Sequence, residues 1–390
     1  DLLDRGNAIG TITGRCRQSL ADLALHHHEH RPDLRRVIEQ IEDDRGRHVV
    51  GKVGDELPRA VGAQDVGPFE VERITVHGAS LVGNLSGDSA DRLASVYLPP
   101  SYAQQPRRRY AVLYLLHGFT DSDDKWFGFS GAHFVNVPGA TDRADAAGAR
   151  ELIIVMPNAY TKFFGSMYSS SAATGDWEAF VAKDLVAYVD SHYRTLAKRE
   201  SRGLAGHSMG GYGALRIGMK YPDVFSSLYA LSPCCLAPNL SPSDAQFAGA
   251  LKVRTDADLA ALAPTDFGTK AMLASAAAWS SNPKNPPLYI DLPIADGRIV
   301  PDVVARWVAN APLTMVHQYI ASLHRYAAIA MDAGDQDQPI ESTVRALDGI
   351  LTTYGIAHTA ETYGGDHVNR IDERLAGKRS EEHTSELQSH

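Results

Sequence analysis

The stretch Gly206-His207-Ser208-Met209-Gly210-Gly211 decides the reading of this chain. It follows the apolar run Gly203-Leu204-Ala205 and precedes a helical run that begins Tyr212-Gly213-Ala214-Leu215-Arg216. A G-x-S-x-G pattern between a strand and a helix is a nucleophile elbow. Its serine occupies strained backbone at a sharp turn, so the flanking positions must lack side chains that would collide with strand and helix. Gly206 and Gly210 meet that need. Such a turn lifts the Ser208 hydroxyl above the sheet edge at a helix N-terminus, where backbone N–H groups face developing negative charge. A glycine-rich loop with an incidental serine has the same letters, so the surrounding sequence must carry the assignment.

From Phe69 onward short apolar strands alternate with helices, the pattern of a mostly parallel sheet covered on both faces. Strands are expected over 71–76, 93–98, 110–116, 152–156, 203–206, 225–231, 327–331 and 358–362. The continuous apolar run from Tyr110 to Leu116 is what a strand buried on both faces looks like. A helix is expected over 176–193, with Val181, Leu185, Val189 and Tyr193 on one side. Residues 236 to about 325 interrupt the alternation with Pro-, Ala- and Asn-rich sequence and two expected helices, 269–279 and 309–323. An insertion flanked by core strands reads as a cap over the site.

Residues 1–68 contain no Phe, Trp or Tyr, although aromatics make up 8% of the chain. They are taken as an appendage, non-native or disordered, with one helix in which Leu34, Val37, Ile38 and Ile41 share a face. Its His26-His27-His28-Glu29-His30 tract has metal-binding residue types but reads better as a solvated polar run, so no metal is expected. Residues 379–390 resemble a translated adapter sequence and are set aside as not native. The domain of alternating strands and helices is therefore 69–378.

With 44% hydrophobic residues the chain can bury a large core. Its formal charge of −9, without a long basic run, argues against nucleic acid or an anionic membrane surface as partner. A small or neutral molecule fits better, and the oligomeric state is left open. No stretch approaches the roughly 20 apolar residues of a membrane span. The opening residues lack an export-signal pattern, yet the chain begins with Asp1, which leaves cytoplasmic and exported bacterial locations both open. Cys16, Cys234 and Cys235 cannot build a disulfide framework and are read as small core residues.

Acyl transfer by a serine needs a base, an acid that orients the base, and donors for the oxyanion. His367, in Gly364-Gly365-Asp366-His367 after the last strand, is the candidate base. The oxyanion donors would be the N–H of Met209 and, from the loop His117-Gly118-Phe119 after a buried strand, that of Phe119. Among the nearby carboxylates, Asp366 adjoins the histidine and points away from it, and Asp332 is tied to the strand pleat. Asp335 and Asp337 stay open. Pocket candidates lie in Asn158–Tyr168 beyond another strand, including Phe163 and Phe164. Tyr160, Tyr168, His117, Trp126 and His207 are taken as the pocket side chains.

These pieces resemble the putative-esterase family of α/β-hydrolases, which includes feruloyl esterases of carbohydrate esterase family one, esterase D and the mycolyltransferases. The resemblance rests on Val96-Tyr97-Leu98-Pro99-Pro100-Ser101-Tyr102, on Arg109 to Phe119 with Trp126 downstream, on Gly206 to Gly211, on Gly334-Asp335-Gln336-Asp337, and on Gly364 to His367. It implies an α/β-hydrolase fold with a cap and a cofactor-free serine esterase of feruloyl-esterase type, acting on a small-molecule or polymer-linked ester. Carried onto these positions, Ser208 is nucleophile, His367 base, Asp337 acid, and Phe119 and Met209 the oxyanion donors. Two rivals stand beside it: an acyltransferase of the mycolyltransferase type, and a non-catalytic binding domain on the same fold.

Overall fold

In a computed structural model that describes residues 69–238 and 245–381, eight strands form one sheet. They are β1 (Glu70–His77), β2 (Asp91–Leu98), β3 (Val112–Leu116), β4 (Ile153–Pro157), β5 (Arg202–His207), β6 (Ser227–Leu231), β7 (Ala328–Gly334) and β8 (Thr359–Tyr363). The order is β1-β2-β4-β3-β5-β6-β7-β8, with β2 antiparallel to both neighbours and every later pairing parallel. All eight strands fall on the expected stretches. β3, β4 and β6 are buried at every residue, as their unbroken apolar runs require, whereas edge strand β8 carries exposed Thr359 and Ala360. The appendage and its histidine tract lie outside the described residues, as does most of the adapter-like tail.

The longer helices are α1 (Val137–Ala146), α2 (Val186–His192), α3 (Met209–Lys220), α4 (Phe267–Trp279), α5 (Pro301–Ala309), α6 (Ile340–Thr353) and α7 (Ile371–Glu381). The expected helix over 176–193 is broken into a short α turn, a π segment Phe180–Leu185 and α2. The wider π turn buries Phe180, Val181 and Ala182 together, a broader apolar stripe than one α-helical face offers. Tyr193 is extended and lies beyond the helix.

In the cap, α4 matches its expected helix. The helix expected over 309–323 does not form. Instead α5 starts eight residues earlier at Pro301, and Pro312 opens a separate turn, Pro312–Met315, followed by a 3-10 turn and Ile320–Leu323. The cause is local: Ala311 precedes a proline and takes extended backbone (φ −77°, ψ 126°), and each proline occupies the first turn of its helix, where a missing N–H costs nothing.

Register positions the site. Leu116 pairs with Gly206, His207 with Leu231, Leu231 with Asp332, and Gly334 with Tyr363. The C-terminal ends of β3, β5, β6, β7 and β8 are thus aligned, and the loops that leave them meet at one edge of the sheet. Among the described residues no helix is long and apolar enough to cross a membrane.

Candidate active site

β5 ends at His207, α3 begins at Met209, and Ser208 between them has φ +56° and ψ −114°, a backbone that non-glycine residues rarely adopt. The neighbours enforce it. A Cβ on Gly206 would lie 2.3 Å from the Gly210 carbonyl, and one on Gly210 would lie 2.0 Å from the Leu116 carbonyl oxygen. Strand, turn and helix can approach this closely only through glycine. The Ser208 N–H donates to the Leu231 carbonyl (2.9 Å), and the Ser208 carbonyl accepts from Tyr212 (2.9 Å) and Cys234 (3.1 Å). Backbone bonds on both sides hold the turn, leaving Ser208 8% exposed.

His367 arrives on the loop after β8. Its Nε2 lies 2.9 Å from Ser208 Oγ and its Nδ1 lies 2.7 Å from Asp337 Oδ2. A carboxylate at Nδ1 fixes the proton there, so Nε2 presents its lone pair to the serine hydroxyl. The loop is pinned from two directions. Gly365 N–H donates to Asp335 Oδ1 (3.0 Å) and Gln336 N–H to the Gly365 carbonyl (3.0 Å), while His207 Nε2–H donates to the His367 carbonyl (2.8 Å).

The four aspartates divide their tasks. Asp337 meets the imidazole, Asp335 ties down the loop that carries it, and Asp366 accepts the N–H groups of Val368 and Asn369 (2.8 Å each), bonds that hold its carboxyl below the usual range. Asp332 is buried and bonded to Tyr229 and to Arg374 Nε (2.8 Å). Burial pushes its carboxyl up.

On the other side of Ser208, Gly118 comes so near that a Cβ there would lie 3.6 Å from Ser208 Cβ and 3.4 Å from His207 Nδ1. This brings the segment bearing Phe119 alongside the elbow. Met209 opens α3, where first-turn amides lack intrahelical partners.

Four of the five expected pocket side chains are buried. His117 is enclosed, its Nδ1–H bonded to the Gly118 carbonyl (2.8 Å) and its Nε2 accepting from Ala159 N–H (2.9 Å). Tyr168 is buried with its hydroxyl donating to the His117 carbonyl (3.3 Å), and buried Trp126 donates to Asp121 (2.6 Å). His207 packs against the His367 ring, centroids 4.8 Å apart, and burial, then the neighbouring His367, pushes its pKa down to about 3. All four hold loops from behind, because a polar ring at a sheet edge finds backbone partners there more readily than solvent. Tyr160, 41% exposed, remains at the surface.

Two exposed aromatics at the site were not anticipated. Phe267, 54% exposed at the start of cap helix α4, meets Phe119 edge-on at 5.4 Å, and Phe134, 38% exposed, meets His207 at 5.7 Å. The cap helix was expected to begin two residues later, and nothing in the loop sequence marks Phe134. A cavity of about 700 Å³ lies within the cap, among Leu251, Leu288, Ile294, Val303 and Arg306, and Ser208 does not line it. Cys234 and Cys235, read as core residues, pack partly buried against the core, beside the elbow. The loop after β6 turns back toward Ser208 there. Among the described residues no three metal-binding side chains cluster.

A family model described as "Putative esterase" matches residues 89–371, and the chain belongs to that family, whose class is carboxylic-ester hydrolase. An esterase of Mycobacterium tuberculosis strain H37Rv is 35% identical over 135 residues, covering 34% of this chain and 27% of its own length. An acetyl esterase of Caldicellulosiruptor saccharolyticus is 31% identical over 121 residues, covering 31% of this chain and 40% of its own. The chain thus matches about a quarter to two fifths of the length of these relatives. A solved ferulic acid esterase superposes with a TM-score of 0.57 at 21% identity, covering 80% of this chain and 96% of the other. A substrate-bound fluorophosphonate-binding serine hydrolase from Staphylococcus aureus gives 0.52 at 17% identity, covering 80% and 99%. The fold is that of the α/β-hydrolase esterases.

Proposed function

We propose that this protein is a serine esterase in which Ser208 is the nucleophile, His367 the general base and Asp337 the acid that orients it. The observation that carries the reading is a single imidazole bonded at 2.9 Å to Ser208 Oγ and at 2.7 Å to Asp337. In the first half-reaction Nε2 takes the hydroxyl proton as Oγ attacks the ester carbonyl. Negative charge then develops on the carbonyl oxygen, and the N–H groups of Phe119 and Met209 donate hydrogen bonds to it. The tetrahedral intermediate collapses, His367 returns the proton to the departing alcohol, and an acyl group is left on Ser208. Water deprotonated by the same Nε2 releases the acid. Protein groups fill every role.

Within this reading the acyl group is aromatic, of the hydroxycinnamoyl type. The exposed rings of Phe267 and Phe134 and the adjacent Phe119 support it, since an aryl group stacks well on such walls, and so do the relatives named as feruloyl esterases. Stopped-flow turnover of acetyl, butyryl and feruloyl aryl esters tests both parts. The reading expects a burst of alcohol equal to the enzyme concentration and a higher kcat/KM for the feruloyl ester. Absence of any burst, with turnover intact and not limited by acylation, would count against the acyl-enzyme, and a preference for acetyl would count against the aromatic acyl group.

A further inference from the structure

The mechanism leaves two nucleophilic side chains beside the elbow unused. Cys234 and Cys235 follow β6 on the loop that returns toward Ser208, and both are partly buried. The Cys235 thiol donates to Cys234 Sγ at 2.8 Å, and the Cys234 N–H donates to the Ser208 carbonyl at 3.1 Å. Cys235 sits at φ +61°, so the backbone is already turned to bring adjacent sulfurs to one side.

We propose that Cys234 and Cys235 form an oxidant-sensitive modification site: a hydroperoxide closes a vicinal disulfide between them, and closure lowers turnover at Ser208. The peroxide oxidises the Cys235 sulfur to a sulfenic acid, its O–O bond breaking and one water leaving. The Cys234 sulfur then attacks the Cys235 sulfur. The S–S bond forms, the S–O bond breaks, and the hydroxide departs with the thiol proton as a second water. Two thiols lose two electrons and the peroxide gains them.

Cys234 suits the resolving role, because the bond from Cys235, and then burial, hold its thiol well above the ordinary range and keep it protonated until the partner is oxidised. Neighbouring Cα atoms lie about 3.8 Å apart across a trans peptide, short of the roughly 4.4–6.8 Å that relaxed disulfides span. The bond is therefore strained and readily reduced, the character of a reversible site rather than a structural brace. The Cys234 N–H that bonds the strained Ser208 carbonyl is attached to a Cα of that ring, so a closure that shifts this Cα displaces the bond. This second half of the proposal rests on Ser208 being the nucleophile; the thiol chemistry does not.

Purified protein is treated with hydrogen peroxide or, separately, with diamide, which oxidises thiols without making methionine sulfoxide. Free thiols are then alkylated and the peptide containing Cys234 and Cys235 is weighed alongside an aryl-ester assay. Expected is a peptide lacking two hydrogens and refusing alkylation, turnover down by about fivefold or more, and recovery of both with dithiothreitol. Cys235→Ser should keep its turnover and lose the sensitivity. Alkylatable thiols after treatment overturn the site, even if activity has fallen through Met209 oxidation. A disulfide with unchanged turnover, or equal inhibition of Cys235→Ser, overturns the link to the elbow. An untreated enzyme inert toward all esters would sink the esterase reading alone, since the mass of the peptide still decides the thiol chemistry.

Discussion

The sheet edge and the cap are built on opposite principles. At the edge, β3, β5, β7 and β8 end in register, and each functional side chain sits within a few residues of a strand end, fixed by backbone contacts as close as those of Gly206 and Gly210. The cap joins α4 to shorter segments, two of them started by prolines, encloses a cavity, and meets the site through an exposed ring, Phe267. On the proposed function the contrast divides the labour: the edge sets whether a bond can be broken, the cap which substrate arrives. Changes at the edge should therefore act on kcat or on folding, and changes in the cap on KM.

The largest effect is expected from the acid. Asp337→Asn should lower kcat by about 10⁴ through the wrong imidazole tautomer, whereas Asp335→Asn, which loosens only the loop, should stay within about tenfold of wild type. Steady-state turnover of the two variants side by side decides, and the reverse ranking would overturn the assignment. Next come paired glycines. Gly210→Ala drives a methyl into the Leu116 carbonyl and should cost about 3 kcal/mol or more. Gly249→Ala in the cap brings a methyl within 2.2 Å of the Thr269 hydroxyl, a side-chain atom that a χ1 rotation can move where a backbone carbonyl cannot, and should cost less, about 1–2 kcal/mol. Urea midpoints measure both, and equal losses would erase the distinction.

His207 gives a smaller effect with a pH signature. His207→Phe keeps ring packing but removes the bond to the His367 carbonyl, so kcat should fall by about ten- to a hundredfold, and His207→Gln should recover part of it. The sign of its pH effect follows from a pKa moved from 6.5 to about 3 in the folded protein. Unfolded chain binds the proton first, so this residue removes stability as pH falls through that window, up to a few kcal/mol. Either variant should flatten the acid limb of a stability–pH curve. A limb as steep as wild type would show that burial of this ring is not its cause. The smallest effect belongs to the cap: Phe267→Ala should raise KM for feruloyl esters about two- to fivefold and leave kcat and acetyl esters nearly unchanged.

This division also explains what could be read in advance. All eight strands were legible, because a doubly buried strand writes itself as an apolar run and its loops carry the glycines. The same holds for Ser208, His367 and Phe119, which sequence placed beside strand ends. Asp335 and Asp337 could not be separated from residues alone, since either can follow a strand; which one faces the ring depends on a turn whose geometry spacing does not encode. The pocket side chains were misplaced for a related reason. His117, Trp126, Tyr168 and His207 have the chemistry of ligands, but whether a ring faces outward or bonds the backbone behind it is settled by packing. In the cap the period of apolar residues survived across Pro312, and the proline overrode it.

The claim on which the rest depends is that Ser208 carries the acyl group. Intact-mass analysis of enzyme quenched within the first turnover of an aryl ester, followed by peptide mapping, tests it most directly. The account predicts one acyl group per chain, on Ser208, and neither adduct nor turnover in Ser208→Ala. An adduct on another residue, or Ser208→Ala turning over at more than about a tenth of the wild-type rate, would contradict it.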